Sequence, residues 1–87
     1  MSDFLIETTH TPEQCLITMD RFAGNPSYLE KFEFGCLSGE HKGWAIVQGE
    51  SESSVRELVP ADIRSEARVV KVSKFTPEQI RMAHQQH

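Results

Sequence analysis

The chain has 87 residues, 25% of them charged and 38% hydrophobic, the balance of an ordinary globular protein and not of a disordered one. Thirteen acidic against nine basic residues give a formal charge of −4, and Lys71 and Lys74 are the densest basic pair. That excludes phosphate-driven binding to nucleic acid. No run approaches the ~18 apolar residues of a membrane span, so a membrane partner is not expected either.

Met1-Ser2-Asp3 leads directly into strand-like sequence, so a secretory leader is not expected. A cytoplasmic setting is therefore expected, with Cys15 and Cys36 as reduced thiols. The length predicts a single domain over residues 1–87. So short a chain buries only roughly 60–65% of its unfolded surface, so extra stabilisation by dimerisation is expected.

Asp3 to Thr9 reads as a first strand, with Phe4, Ile6 and Thr8 on one face and Leu5, Glu7 and Thr9 on the other. His10 falls at its end. Thr11-Pro12-Glu13-Gln14 then opens a helix: Thr11 caps the free amides, Pro12 needs no donor there, and Gln14 closes a capping box. Cys15, Leu16, Met19, Phe22 and Ala23 follow at helical spacing, and Gly24-Asn25-Pro26-Ser27 reads as the stop.

Leu29 to Leu37 reads as a second strand, with Phe32, Phe34 and Cys36 on one face. The nine residues Gly35 to Gly43 carry three glycines, one cysteine and one histidine, and predict a hairpin turn. Trp44 to Gly49 is the third strand, apolar on both faces. Ser51 caps a second helix carrying Val55, Leu58, Val59 and Ile63, which Pro60 must kink or restart. Ala67 to Ser73 is the fourth strand. Thr76-Pro77-Glu78-Gln79 repeats the first helix's opening and starts a C-terminal helix over 77–87.

The order of elements predicts a ferredoxin-like βαββαβ sandwich: a four-stranded antiparallel sheet in order 4-1-3-2, two helices on one face, and an extra C-terminal helix. Leu5, Val69 and one face of the third strand are expected on the open side. A homodimer stacking those faces, with the C-terminal helix packed across, is the expected assembly.

The runs His10-Thr-Pro-Glu-Gln-Cys15, Gly35-Cys-Leu-Ser-Gly-Glu-His41, Ala67-Arg-Val-Val and Lys74-Phe-Thr-Pro-Glu-Gln-Ile80 resemble a group of small bacterial proteins of about this length. In fold these are similar to the dimeric α+β-barrel superfamily, which includes muconolactone isomerases, small cofactor-free monooxygenases and the YCII-like proteins. The His/Asp pair of the YCII-like proteins has no match in this chain, so the resemblance implies no catalytic residue.

The chemistry-bearing residues are His10, Cys15, Cys36 and His41, two pairs with four intervening residues each. In the expected topology the first two strands run in the same direction, so all four fall at one edge of the molecule. Imidazole and thiolate suit Zn, or else Ni or Cu. His10, Cys36 and His41 are the better ligand candidates, because Cys15 lies on the apolar face of its helix, where a free cysteine is commonly a small core residue.

Cys36 shares a face with Phe32 and Phe34 and also has a core reading, and His41 one as a solvated turn residue. Other readings are a reactive thiol at Cys15, in the first turn of a helix, and acid–base chemistry by His10 or His41 with Glu7 or Glu40. His84 and His87 read as a solvated end. Two functional classes follow: a ligand- or metal-binding module, or a small cofactor-free enzyme of the isomerase or monooxygenase type with a histidine acid or base between helices and sheet.

Overall fold

The computed structural model describes residues 1–86. Four strands, β1 (Ser2–Thr9), β2 (Glu33–Phe34), β3 (Lys42–Gly49) and β4 (Arg68–Val72), form one antiparallel sheet in the order β2-β3-β1-β4. Read from the β4 edge this is 4-1-3-2, the neighbours that the strand pattern predicts. Four α-helices accompany them: α1 (Cys15–Ala23), α2 (Pro26–Lys31), α3 (Glu52–Arg56) and α4 (Pro77–Gln85). The expected end of the last helix at His87 lies outside the described residues.

The alternation of β1 sets the inside of the fold. Phe4, Ile6 and Thr8 are buried, and the pairings Phe4↔Val47, Ile6↔Ala45 and Thr8↔Gly43 put their partners on the same face. Phe22 of α1, Val55 of α3, Phe32, Val59 and Ala67 close over that face. The helical layer and the core thus share one side of the sheet. Phe22 is fully buried, with the rings of Phe34 and Phe32 at centroid distances of 5.0 and 5.1 Å. That contact fixes α1 above β2.

Helix starts follow the sequence signals closely. Thr11 Oγ1 accepts from the Gln14 amide at 3.2 Å, and Gln14 Oε1 accepts from the Thr11 amide at 3.4 Å. The turn begins as a 3-10 segment, Pro12–Gln14, and passes into α1 at Cys15. Ser51 and Thr76 cap α3 and α4 in the same reciprocal way. Pro60 restarts the chain as the 3-10 segment Ala61–Glu66.

Three expectations are corrected. The strand expected over Leu29 to Leu37 is mostly something else: Leu29 belongs to α2, and β2 keeps only two residues before the 3-10 turn Cys36–Ser38. The physical reason lies in Asn25-Pro26. Asn25 Oδ1 accepts from the Ser27 amide at 3.1 Å and Pro26 takes the first helical position, so the residues that stop α1 also start α2.

Val69 does not lie on the open side. It pairs with Ile6 and packs on the core, while Val70 pairs with Leu5 on the outer face. Leu16, expected on the buried stripe of α1, is 79% exposed; Thr18 and Phe22 are buried there instead.

Candidate metal centre

The ladder brings three of the four chemistry-bearing residues into one row. The last recorded β1–β3 pair is Thr9↔Lys42. One step further, the His10 amide donates to the His41 carbonyl at 3.1 Å, which continues the ladder past the strand ends. On the other side of β3, Phe34 pairs with Gly43, and the Gly35 amide donates to the Lys42 carbonyl at 3.0 Å.

Counting by twos from the core positions Thr8 and Gly43 assigns His10 and His41 to the helix-side face. With Cys36, which follows Gly35 in the 3-10 turn, they form one row just beyond the ends of β1, β2 and β3. The imidazoles meet edge to face with centroids 5.3 Å apart, and His10 Nε2 lies 3.3 Å from Cys36 Sγ.

The turn that carries Cys36 and His41 depends on its glycines. Gly39 has φ +89°, a left-handed conformation that side chains with a Cβ rarely adopt, and its amide donates to the Cys36 carbonyl at 3.1 Å. At Gly35 a Cβ would stand 2.9 Å from Glu40, so the turn can close only on a residue without one.

Cys15 arrives from above. The capping box of Thr11 and Gln14 swings the chain from the end of β1 into α1 within five residues, placing the first α-helical residue over the row. One ligand atom from each of His10, Cys15, Cys36 and His41 lies within 4.8 Å of every other, and the four together can hold a metal ion such as zinc. His10 is buried; the other three are half-buried.

Burial, and after it the charge that His41 would place beside it, hold His10 below its ordinary value of 6.5. Burial also pushes the Cys36 thiol above its ordinary 9.0; the hydrogen bond and charge of Cys15 add to this, while a backbone hydrogen bond at Cys36 opposes it. Near neutral pH the metal-free cluster therefore holds a neutral ring and a neutral thiol. Nδ1 of His10 and Nδ1 of His41 are buried with no hydrogen-bond partner among the described residues. A buried polar atom left unpaired costs about 1–3 kcal/mol.

The alternative reading, acid–base chemistry by His10 or His41 with Glu7 or Glu40, finds no such pair among the described residues. Glu7 faces the other side of the sheet, where it accepts from Trp44 Nε1 at 3.3 Å and pairs with Lys42 at 3.5 Å. Glu40 is exposed in the turn. A cleft of about 230 Å³ adjoins His10 between α1 and the Ala61–Glu66 segment, with Gln14, Thr18 and the Arg21–Asp62 ion pair (2.8 Å) along its walls.

His10, Cys36 and His41 thus come together as a group. Cys15, which the helix-face reading treats as core, joins them. Its signal was positional: the first turn of a capped helix that starts five residues after His10. His84 is exposed on α4, away from the cluster, and His87 lies outside the described residues. Comparison with protein-family models, curated proteins and solved structures gives no match.

Proposed function

We propose that this chain is a small metal-binding module whose centre is His10, Cys15, Cys36 and His41, with zinc the preferred ion and Ni the nearest competitor. The observation that carries the reading is the mutual approach of four ligand atoms within 4.8 Å, drawn from the end of β1, the start of α1, the glycine turn and the approach to β3. Two imidazoles and two thiolates match the tetrahedral nitrogen and sulfur set of zinc, whose bonds of about 2.0–2.3 Å place donors about 3–4 Å apart. The separation of His10 Nε2 and Cys36 Sγ already falls in that range.

Four protein ligands leave no open position, which favours a structural or storage centre over a catalytic one. The alternative, a cofactor-free enzyme using histidine as acid or base, has less support. His10 has Nε2 against Cys36 and Nδ1 buried, so neither ring nitrogen is presented to the cleft. The test is titration of reduced, metal-free protein with zinc against a chromophoric chelator, together with cobalt substitution. One ion per chain and the visible absorption of tetrahedral thiolate-bound cobalt are expected; no binding at micromolar zinc would overturn the reading.

We further propose that the βαββαβ core is ferredoxin-like and works as a homodimer. The support is the outer face of the sheet. Leu5, Trp44, Ile46, Val70 and Val72 share it by register, no helix among the described residues covers it, and Ile46 is 69% exposed.

A further inference from the structure

Two of the four ligand atoms are thiols that approach each other from different elements. Cys15 begins α1, and Cys36 begins the 3-10 turn beyond β2. Both residues are free and half-buried, so a small oxidant can reach them, and their sulfurs lie within 4.8 Å of each other. They are also half of the donor set. A covalent bond between them would leave two imidazoles, too few to retain zinc.

We propose that the cluster is a redox-gated metal site: hydrogen peroxide joins Cys15 to Cys36 as a disulfide and expels the metal. The proposal rests on the metal-binding reading above.

The chemistry balances without a further reagent. One thiolate sulfur attacks a peroxide oxygen, the O–O bond breaks, and hydroxide leaves, giving a sulfenic acid. The second thiolate attacks that sulfur, the S–S bond forms, and the S–O bond breaks to release a second hydroxide. Two protons from solvent convert both hydroxides to water. The sulfurs lose two electrons in all, the peroxide gains them, and Zn²⁺ leaves unchanged in oxidation state. A dithiol reductant reverses the sulfur chemistry and restores the site.

The surroundings allow the required movement. A disulfide bond is about 2.05 Å long, so the sulfurs must close by at most a few ångströms. Cys36 stands in a three-residue 3-10 turn between Gly35 and the left-handed Gly39, a segment outside the strand ladder. Cys15 is held more firmly, at the junction of the capped 3-10 turn and α1, where its amide donates to the Pro12 carbonyl. The turn is therefore the part that moves, carrying Cys36 off the row it shares with His10 and His41.

The experiment uses the full chain loaded with one equivalent of zinc, treated with one equivalent of hydrogen peroxide. Zinc release is read by a chromogenic chelator, and the product by intact mass and thiol counting. Release of one zinc for each pair of thiols lost is expected, with a mass lower by two hydrogens than that of the reduced metal-free chain, and with full reloading after dithiothreitol and zinc. Retained zinc, or release accompanied only by added oxygen on the cysteines, would overturn the proposal while leaving the metal site standing.

Failure of the reduced chain to load zinc at all removes the metal site and the gating with it, and is seen before any peroxide is added. Cys15→Ser supplies the control. With Cys36 as its one remaining thiol, its peroxide product should carry added oxygen or an intermolecular disulfide; a single-chain mass loss of two hydrogens in this variant, as a sulfenamide would give, would contradict the assignment.

Discussion

At the scale of single residues, the cluster's donors are not equivalent, because they are held with different stiffness. His10 and His41 are locked by a backbone hydrogen bond of 3.1 Å between them, and Cys15 by the first turn of α1. Structural zinc sites supply about 10–16 kcal/mol through four donors. Removing one donor should therefore cost on the order of a quarter of that, an affinity loss of about 100-fold or more.

His41→Ala and Cys15→Ala are each expected to show that loss in a chelator competition, with the circular dichroism spectrum retained. A Cys15→Ala protein that binds zinc as tightly as the parent would reduce the centre to three protein ligands.

The same residues set a pH window for the metal-free fold. His10 titrates below 6.5 when folded and at its ordinary value when unfolded, so between those two points the unfolded chain binds more protons. Stability is then complete above about pH 6.5 and falls as the pH drops below it. Cys36 is shifted upward, so above pH 9.0 the unfolded thiol ionises first and stability falls as the pH rises.

Urea midpoints of the metal-free protein should therefore form a plateau between these limits. Zinc should steepen the acid side, because its binding displaces protons from two thiols. Midpoints that climb steadily from pH 6 to pH 5 without metal would contradict the burial assigned to His10.

At the scale of elements, the site is held by one turn and one close approach. Gly39→Ala places a Cβ on a left-handed residue, at a cost of about 1–2 kcal/mol. That strain falls on the loop that positions Cys36 and His41, so zinc affinity should weaken by less than a ligand deletion does. Gly43→Ala acts through packing: its Cβ would meet the Phe34 ring at 2.6 Å. Displacing Phe34 disturbs its contact with Phe22, and about 1–3 kcal/mol of destabilisation is expected. Thermal melts of both variants with and without zinc would separate loss of fold from loss of the site.

Much of this level was legible in the residues. Thr11, Ser51 and Thr76 announce their helices because a cap is a local bond between residues three apart. The facing of His10 and His41 follows from alternation once the sheet order is known, whereas that of Cys36 is set by the 3-10 turn. What the pattern hid was non-local or doubly used. Asn25-Pro26 serves one helix end and the next helix start, and α2 hides within a segment whose phenylalanines suggest a strand. Val69 and Val70 are both apolar, so only the pairing with Ile6 and Leu5 distinguishes their faces. Cys15 has the helical spacing of a core residue, and only the approach of the turn below it gives that thiol a second role.

At the scale of the whole molecule, the chain is too long in one direction for its size. Its radius of gyration is 15.8 Å and its long axis 50 Å, against about 12 Å expected for the radius of a compact chain of this length. Helix α4 contributes to the excess: it buries no residue, and Ile80, Met82 and the preceding Phe75 are each about half exposed or more. Nine residues fall short of the ~12–15 at which an isolated helix becomes even marginal in water. A second copy would resolve both features at once, since a two-fold axis lets each arm and each outer sheet face find a partner.

Light scattering at micromolar concentration should therefore give twice the chain mass. Ile46→Glu places a charge in the middle of the outer face, removing the burial of one large aliphatic side chain. The change enters twice in a two-fold dimer, so at about 1.5–3 kcal/mol per copy it should weaken dimerisation by roughly 100- to 10,000-fold, while zinc binding on the opposite face of the sheet persists. A parent protein that runs at the mass of one chain would leave the outer face and α4 without the partner proposed for them. An Ile46→Glu protein that stays dimeric would instead move the interface elsewhere, to a surface the charge does not touch.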